Sequence, residues 1–139
     1  KSLNNINKKI ENVNIAILGY SFKNNSGDIR FSPMINFVDI LINHGNNKIK
    51  IFDSSLEANK LIHKNIVKTD TWQQCVKNAD VVVFGAAHDD IKSIQINALG
   101  SLLNKNALVF DGRRYFTKIE ISSLKKLGIN YLGVGRTFR

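Results

Sequence analysis

Six short apolar runs punctuate this chain: VNIAIL (13–18), KIKIF (48–52), NIVK (65–68), VVVFGA (81–86), ALVF (107–110) and NYLGVG (130–135). Most are continuous rather than alternating, the pattern of strands covered on both faces. Helical spacing fills the intervals, and strands that alternate with helices pair in parallel through right-handed crossovers. The expected product is an α/β fold: a three-layer, doubly wound, mostly parallel six-stranded sheet, Rossmann-like, in strand order 3-2-1-4-5-6.

The clearest helix lies in SPMINFVDILINHG (32–45). Ser32 suits the cap, Pro33 the first helical position and Gly45 the end. Met34, Phe37, Val38, Leu41 and Ile42 recur at spacings of three and four, which turns one face toward the sheet. Further helices are expected at 55–64, 71–79, 97–104 and 117–127, the last closed by Gly128. Residues 1–12 read as a linker or the end of an upstream helix, leaving 13–139 as one domain, and the opening lysine points to a piece of a longer protein.

Composition narrows the function classes. The 139 residues are 43% hydrophobic, enough for an ordinary core, and no apolar run approaches the roughly 18 residues of a membrane span. The opening KSLNNINKKIENVN is too polar for a signal peptide, so a soluble, cytoplasmic protein with no membrane partner is expected. A formal charge of +9 invites a nucleic-acid reading, but the lysines are spread along the chain with no run of five basic residues. No nucleic-acid partner is expected on that ground. The single cysteine, Cys75, sits in WQQCVKNAD, a helix facing the core, and offers neither a disulfide nor metal-ligand spacing. No catalytic residue and no metal ligand is expected.

In a doubly wound sheet the ligand crevice opens beyond the carboxyl ends of the strands, where the order reverses between the first and fourth. The first strand feeds GYSFKNNSGDIRFSP (19–33), the fourth AAHDD (86–90), the fifth DGRRYF (111–116). The first of these loops occupies the place of a dinucleotide-binding turn but lacks its glycines, since Gly19 stands alone until Gly27. It offers Lys23 and Arg30 instead, and the neighbouring loops add His88, Arg113 and Arg114. Cations converging on one crevice suit a phosphorylated or carboxylated ligand. Plainer roles are open as well: Lys23 as a solvated loop lysine, Arg30 as the partner of Asp28 or Asp39, and His88 as part of a capping and turn cluster with its neighbouring aspartates. Asp53, closing the second strand, stands where a dinucleotide fold keeps its ribose acid, but without the glycine loop.

The run ILGYSFKNNSGDIRFSP resembles the opening of the C-terminal UDP-binding domain of the UDP-glucose/GDP-mannose dehydrogenases, with its G-x-x-[FY]-K and its R-x-S-P. The likeness continues through IKIFDS, ADVVVFGAAHDDIK, VFDGRRYF and GINYLGVGR, and covers residues 13 to 136. Five motifs in the right order make it specific. Ala86 and Ala87 depart from the family's threonine and glutamate before His88, and Ser54 from the proline after Asp53.

That resemblance implies a nucleotide-sugar-binding domain of an NAD-dependent UDP-sugar 6-dehydrogenase, which oxidises the sugar C6 alcohol to a uronic acid in polysaccharide biosynthesis. UDP-glucose and UDP-N-acetylmannosamine both fit. Phe22 and Lys23 match the pair that contacts the nucleotide sugar, Arg113 matches an arginine on the substrate, and Arg30 matches the arginine that reaches the NAD of another domain. The resemblance further implies an N-terminal NAD-binding domain, a central helical domain, a cysteine nucleophile outside this chain and a homodimeric whole enzyme. A free-standing nucleotide-binding or regulatory module and a basic nucleic-acid-binding protein are the alternatives from other classes.

Overall fold

Strand β1 (Ile15–Leu18) lies at the centre of a six-stranded sheet with the order β3-β2-β1-β4-β5-β6. Its neighbours are β2 (Ile49–Phe52) and β4 (Val81–Phe84), flanked by β3 (Val67–Lys68) on one side and β5 (Leu108–Asp111) and β6 (Asn130–Gly133) on the other. All five pairings are parallel, so the expected order holds and the expected mostly parallel sheet is parallel throughout. The computed structural model describes residues 7–63, 66–114 and 116–135. The expected strand at 65–68 and the motifs reaching Tyr115 and Arg136 therefore lie partly outside the described residues, as does the first half of the 1–12 segment.

Each central strand feeds two cores. Ile15 and Ile17 join a cluster with Met34, Val38 and Leu41 of α1 (Pro33–Asn43), while Ala16 and Leu18 join a second with Cys75, Leu99 and Leu124. That second cluster is covered by α2 (Trp72–Val76), α4 (Ile96–Leu102) and α5 (Lys118–Lys126), with α3 (Asp89–Lys92) at the strand ends. Alternation of side chains across a strand puts neighbouring residues on opposite faces, and here both faces are dry. This produces the continuous apolar runs of the sequence.

The helix ends are set locally. The Ser32 hydroxyl accepts a hydrogen bond from the Met34 amide ahead of Pro33, and Gly45 takes a φ of 86° past the last turn of α1. Thr71 and Thr117 each close a reciprocal capping box, with Gln74 and Glu120 three residues on.

The helix expected over 55–64 does not form. Only a single 3-10 turn, Ala58–Lys60, interrupts the connection from β2 to β3. Leu56 and Leu61 both plug the α1-side core, and residues five apart stand about 140° apart around an α-helix, so one helix would bury only one of them. The connection opens instead with a separate turn on Asp53, whose carbonyl and carboxylate receive the amides of Leu56 and Ser55. The short α3 and the 3-10 turn Ile10–Asn12 were not among the expected elements.

Candidate functional site

The loops that leave β1, β2, β4 and β5 stand together at the carboxyl edge, as parallel order dictates. At their base the chain is closed. Gly19 has a φ of 92°, and a methyl group there would lie 2.5 Å from the Ala86 Cβ. A methyl group on Gly85 would lie 2.5 Å from the Gly19 carbonyl. The gap between β1 and β4, where a dinucleotide phosphate would need backbone clearance, is thus filled by the chain's own backbone.

Asp53 explains how the β1 loop is held. It is fully buried, and its Oδ2 accepts from the Tyr20 amide at 2.9 Å, the Ser21 amide at 2.9 Å, the Ser21 hydroxyl at 2.8 Å and His88 Nε2 at 3.1 Å. Burial pushes the carboxyl's pKa up, but the hydrogen bonds from His88 and Ser21 outweigh it and hold the value down to about 2. With Oδ1 also taken by the Ser55 amide, nothing of Asp53 is left for a ribose. The strand-end acid has become the anchor of its own loop. Tyr20 adds a second anchor on the other face, its hydroxyl 3.0 Å from His63 Nδ1, while His63 Nε2 meets the Asp39 carboxylate at 2.7 Å.

His88 is buried at 1% exposure and turned inward, toward Asp53 and Ser21 rather than toward its neighbouring aspartates. Its Nδ1 accepts the Asn25 amide at 2.6 Å, so the ring proton belongs to Nε2, which donates to Asp53 and faces the Ser21 hydroxyl at 3.0 Å. The serine, histidine and aspartate therefore form no hydrolytic triad: the nitrogen beside the hydroxyl is a donor and cannot remove its proton. Cys75 is equally unsuited to attack, being 1% exposed with its thiol pushed up by burial to about 12.

The expected convergence of five cations is only partly realised. Arg113 and Phe22 come together: Nη2 donates to the Phe22 carbonyl at 2.6 Å, Nε donates to the Gly85 carbonyl at 3.1 Å, and the guanidinium lies 5.9 Å from the centre of the Phe22 ring. One side chain thus ties the loops of β1, β4 and β5. Lys23 follows Phe22 directly and is exposed. Arg30 stands apart, paired bidentately with Asp28 at 3.0 and 2.8 Å, and its side chain is 78% exposed. That pair holds the Asp28 carboxyl well below the usual carboxylate range. Arg30 lines a separate cavity of about 490 Å³ with Gly27, Ser55, Glu57 and Lys60. Arg114 is exposed, with a φ of 57°. A second cavity, about 380 Å³, opens among Asn14, Lys48, Lys50 and Lys77 at the amino end of the strands.

Sequence reasoning passed over Ser21 and Asn25. Asn25 carried one signal, an asparagine in a polar loop, the residue type that best tolerates its φ of 56°.

Residues 16–118 match the family pattern described as the UDP-glucose/GDP-mannose dehydrogenase family, UDP binding domain. A UDP-glucose 6-dehydrogenase of Rickettsia conorii is 33% identical over 125 residues, covering 88% of this chain and 28% of the relative. A solved UDP-D-ManNAc dehydrogenase of Pyrococcus horikoshii superposes with a TM-score of 0.76 at 25% identity, over 97% of this chain and 28% of that one. An NDP-N-acetyl-D-galactosaminuronic acid dehydrogenase of Methanosarcina mazei, at 24% identity, shares the fold with a TM-score of 0.81, over 97% of this chain and 27% of that one. The chain thus spans under a third of the length of these relatives.

Proposed function

The chain belongs to the UDP-glucose/GDP-mannose dehydrogenase family, as its UDP-binding domain, and from that premise we propose that it holds the nucleotide sugar of an NAD-dependent UDP-sugar 6-dehydrogenase. Phe22, Lys23 and Arg113 form the grip in this reading. The observation that carries it is the Arg113 side chain, which fixes the Phe22 carbonyl at 2.6 Å, one residue before the exposed Lys23. A planar guanidinium and a lysine on neighbouring loops suit the two phosphates of a diphosphate, and Phe22 supplies an aromatic face at the same place.

The residues of this chain do not fit NAD in the position a dinucleotide fold would use. The Gly19–Ala86 approach leaves no room for its phosphates, and every acceptor of Asp53 is engaged. In the whole enzyme NAD supplies the hydride acceptor from a neighbouring N-terminal domain. Arg30, held outward by Asp28, is the group this chain presents to it. The partners in this reading are that domain, a central helical domain and a second copy of the whole enzyme, all in the cytoplasm.

Calorimetric titration of the 139-residue chain with UDP, GDP and UDP-glucose tests the grip. Uridine ligands should bind in preference to GDP, and Arg113→Ala and Lys23→Ala should each weaken that binding by about tenfold, the value of one charge-assisted hydrogen bond. Affinity indifferent to the base, or unchanged in both variants, would count against the assignment.

A further inference from the structure

Three contacts fasten the tip of the β1 loop to the segment after β4. The Ala87 amide donates to Asn24 Oδ1 at 3.1 Å, the Asp89 amide donates to Asn25 Oδ1 at 3.0 Å, and the Asn25 amide donates to His88 Nδ1 at 2.6 Å. The first two join groups that do not titrate near neutrality. The third depends on one nitrogen's lone pair. A second proton on His88 would place an N–H against the N–H of Asn25, and the contact would turn from attractive to repulsive.

His88 Nε2 donates to Asp53 Oδ2 at 3.1 Å, and its Nδ1 accepts from the Asn25 amide at 2.6 Å. The other charged groups of the adjoining elements are Lys23, Asp28 and Arg30 in the β1 loop, Asp89, Asp90 and Lys92 after His88, and Asp111, Arg113 and Arg114 at the end of β5. Arg113 is already tied to the Gly85 and Phe22 carbonyls, and Asp90 accepts from the Ser54 hydroxyl at 2.5 Å. The Ser21 hydroxyl accompanies Asp53 whatever the state of the ring, because it donates to Oδ2 at 2.8 Å.

Asn25 lies two residues after Lys23, and the Ser26 amide closes a turn on the Lys23 carbonyl at 3.2 Å. The conformation of Lys23 therefore follows that of Asn25. We propose that His88 is a positioning residue for the nucleotide-sugar grip: its Nδ1 lone pair pins Asn25 and with it Lys23 in binding order, and a proton on that nitrogen removes this fastening and loosens the loop tip. This rests on the nucleotide-sugar reading of Phe22, Lys23 and Arg113. Reciprocity follows, since a ligand that needs the pinned loop favours neutral His88 and expels a proton when it binds to the charged form.

The two ring nitrogens are separable by substitution. Asparagine at 88 presents an acceptor near the place of Nδ1 and nothing at Nε2, whereas glutamine reaches toward Asp53 and leaves the Asn25 amide without a partner. UDP-glucose is the probe, because its diphosphate diester does not titrate near neutrality. In the wild-type chain its affinity should fall by about tenfold as the His88 ring gains its second proton, with a smaller loss and a flat profile in His88→Asn, and a loss of about tenfold at every pH in His88→Gln. Nitrogen NMR of the wild-type His88 ring and amide exchange at Asn25 provide a readout independent of any ligand and of how the variants fold. Protection of Asn25 should vanish as the ring gains its second proton. Protection that survives ring protonation, or a His88→Asn profile that parallels the wild type, would overturn the proposal. Asn25 released by protonation in a chain that binds no UDP-glucose at any pH would uphold the pin and reject the nucleotide-sugar reading alone.

Discussion

Asp53 shows how one residue can be conspicuous in a sequence and misleading about its use. Its place at the end of β2 was legible, because a strand ending in an acid is a local pattern. Its partners were not: Ser21 and His88 lie 32 and 35 residues away, and only the β2-β1-β4 order brings them together. With four donors on Oδ2, replacement by asparagine substitutes an amide group for a charge that every neighbour is arranged to meet. Asp53→Asn should cost about 3 kcal/mol in denaturant unfolding, because buried donors lose their ionic acceptor. The pH dependence has a definite sign. A carboxyl held down to about 2 in the folded chain and higher in the unfolded one adds stability at neutral pH, which is lost as pH falls from the ordinary carboxylate range through about 2. That term is on the order of 2 kcal/mol, and acid unfolding of Asp53→Asn should lack it, which the shift in its acid midpoint would reveal.

At the scale of elements, what could be read was what is decided within a few residues. The Ser32–Pro33 start of α1, its Gly45 stop and the Gly128 stop after α5 all follow from backbone groups that neighbouring atoms must satisfy. Thr117 is a similar local device: its hydroxyl accepts from the Glu120 amide at 3.2 Å while the Glu120 carboxylate accepts from the Thr117 amide at 2.7 Å. Thr117→Ala should therefore destabilise the fold by about 1 kcal/mol, measured as a lowered denaturant midpoint with unchanged slope. The expected helix at 55–64 failed for the opposite reason. Its apolar residues answer to a distant core, with Leu56 and Leu61 drawn into contact with α1 and β1, and a demand of that kind overrides local helical spacing. The same limit hid half of the candidate site. Phe22, Lys23 and Arg113 stood out by residue type, whereas Asn25 takes its importance from a histidine 63 residues away.

At the scale of the whole molecule, the proposed reading gives this chain the grip on the nucleotide sugar and leaves the chemistry to other parts of the enzyme. The candidate grip stands at the carboxyl edge of the parallel sheet, where the hydrogen bonds of Arg113 join three loops. The nucleophilic and hydride-handling groups of a dehydrogenase are a different matter. Cys75 lies on the buried face of α2 with its thiol pushed up to about 12, and His88 faces Ser21 with a donor nitrogen. The backbone contact between Gly19 and Ala86 blocks the place where a dinucleotide would lie. Binding a substrate without stabilising its transition state lowers no barrier, and orientation accelerates a reaction only when both reactants are held. The 139-residue chain mixed with UDP-glucose and NAD should accordingly produce no NADH absorbance above the protein-free mixture, even at concentrations that saturate the grip. On the proposed reading the opposing wall belongs to the part of the relatives' length that this chain does not span, so a polypeptide extended to that full length should turn over UDP-glucose. Arg113→Ala in that extended protein should then lower kcat/KM by about tenfold through the same contact that weakens binding in the short chain. NADH formed by the short chain alone would mean that a hydride acceptor and a reacting centre assemble on these residues, and the division between grip and chemistry would be wrong.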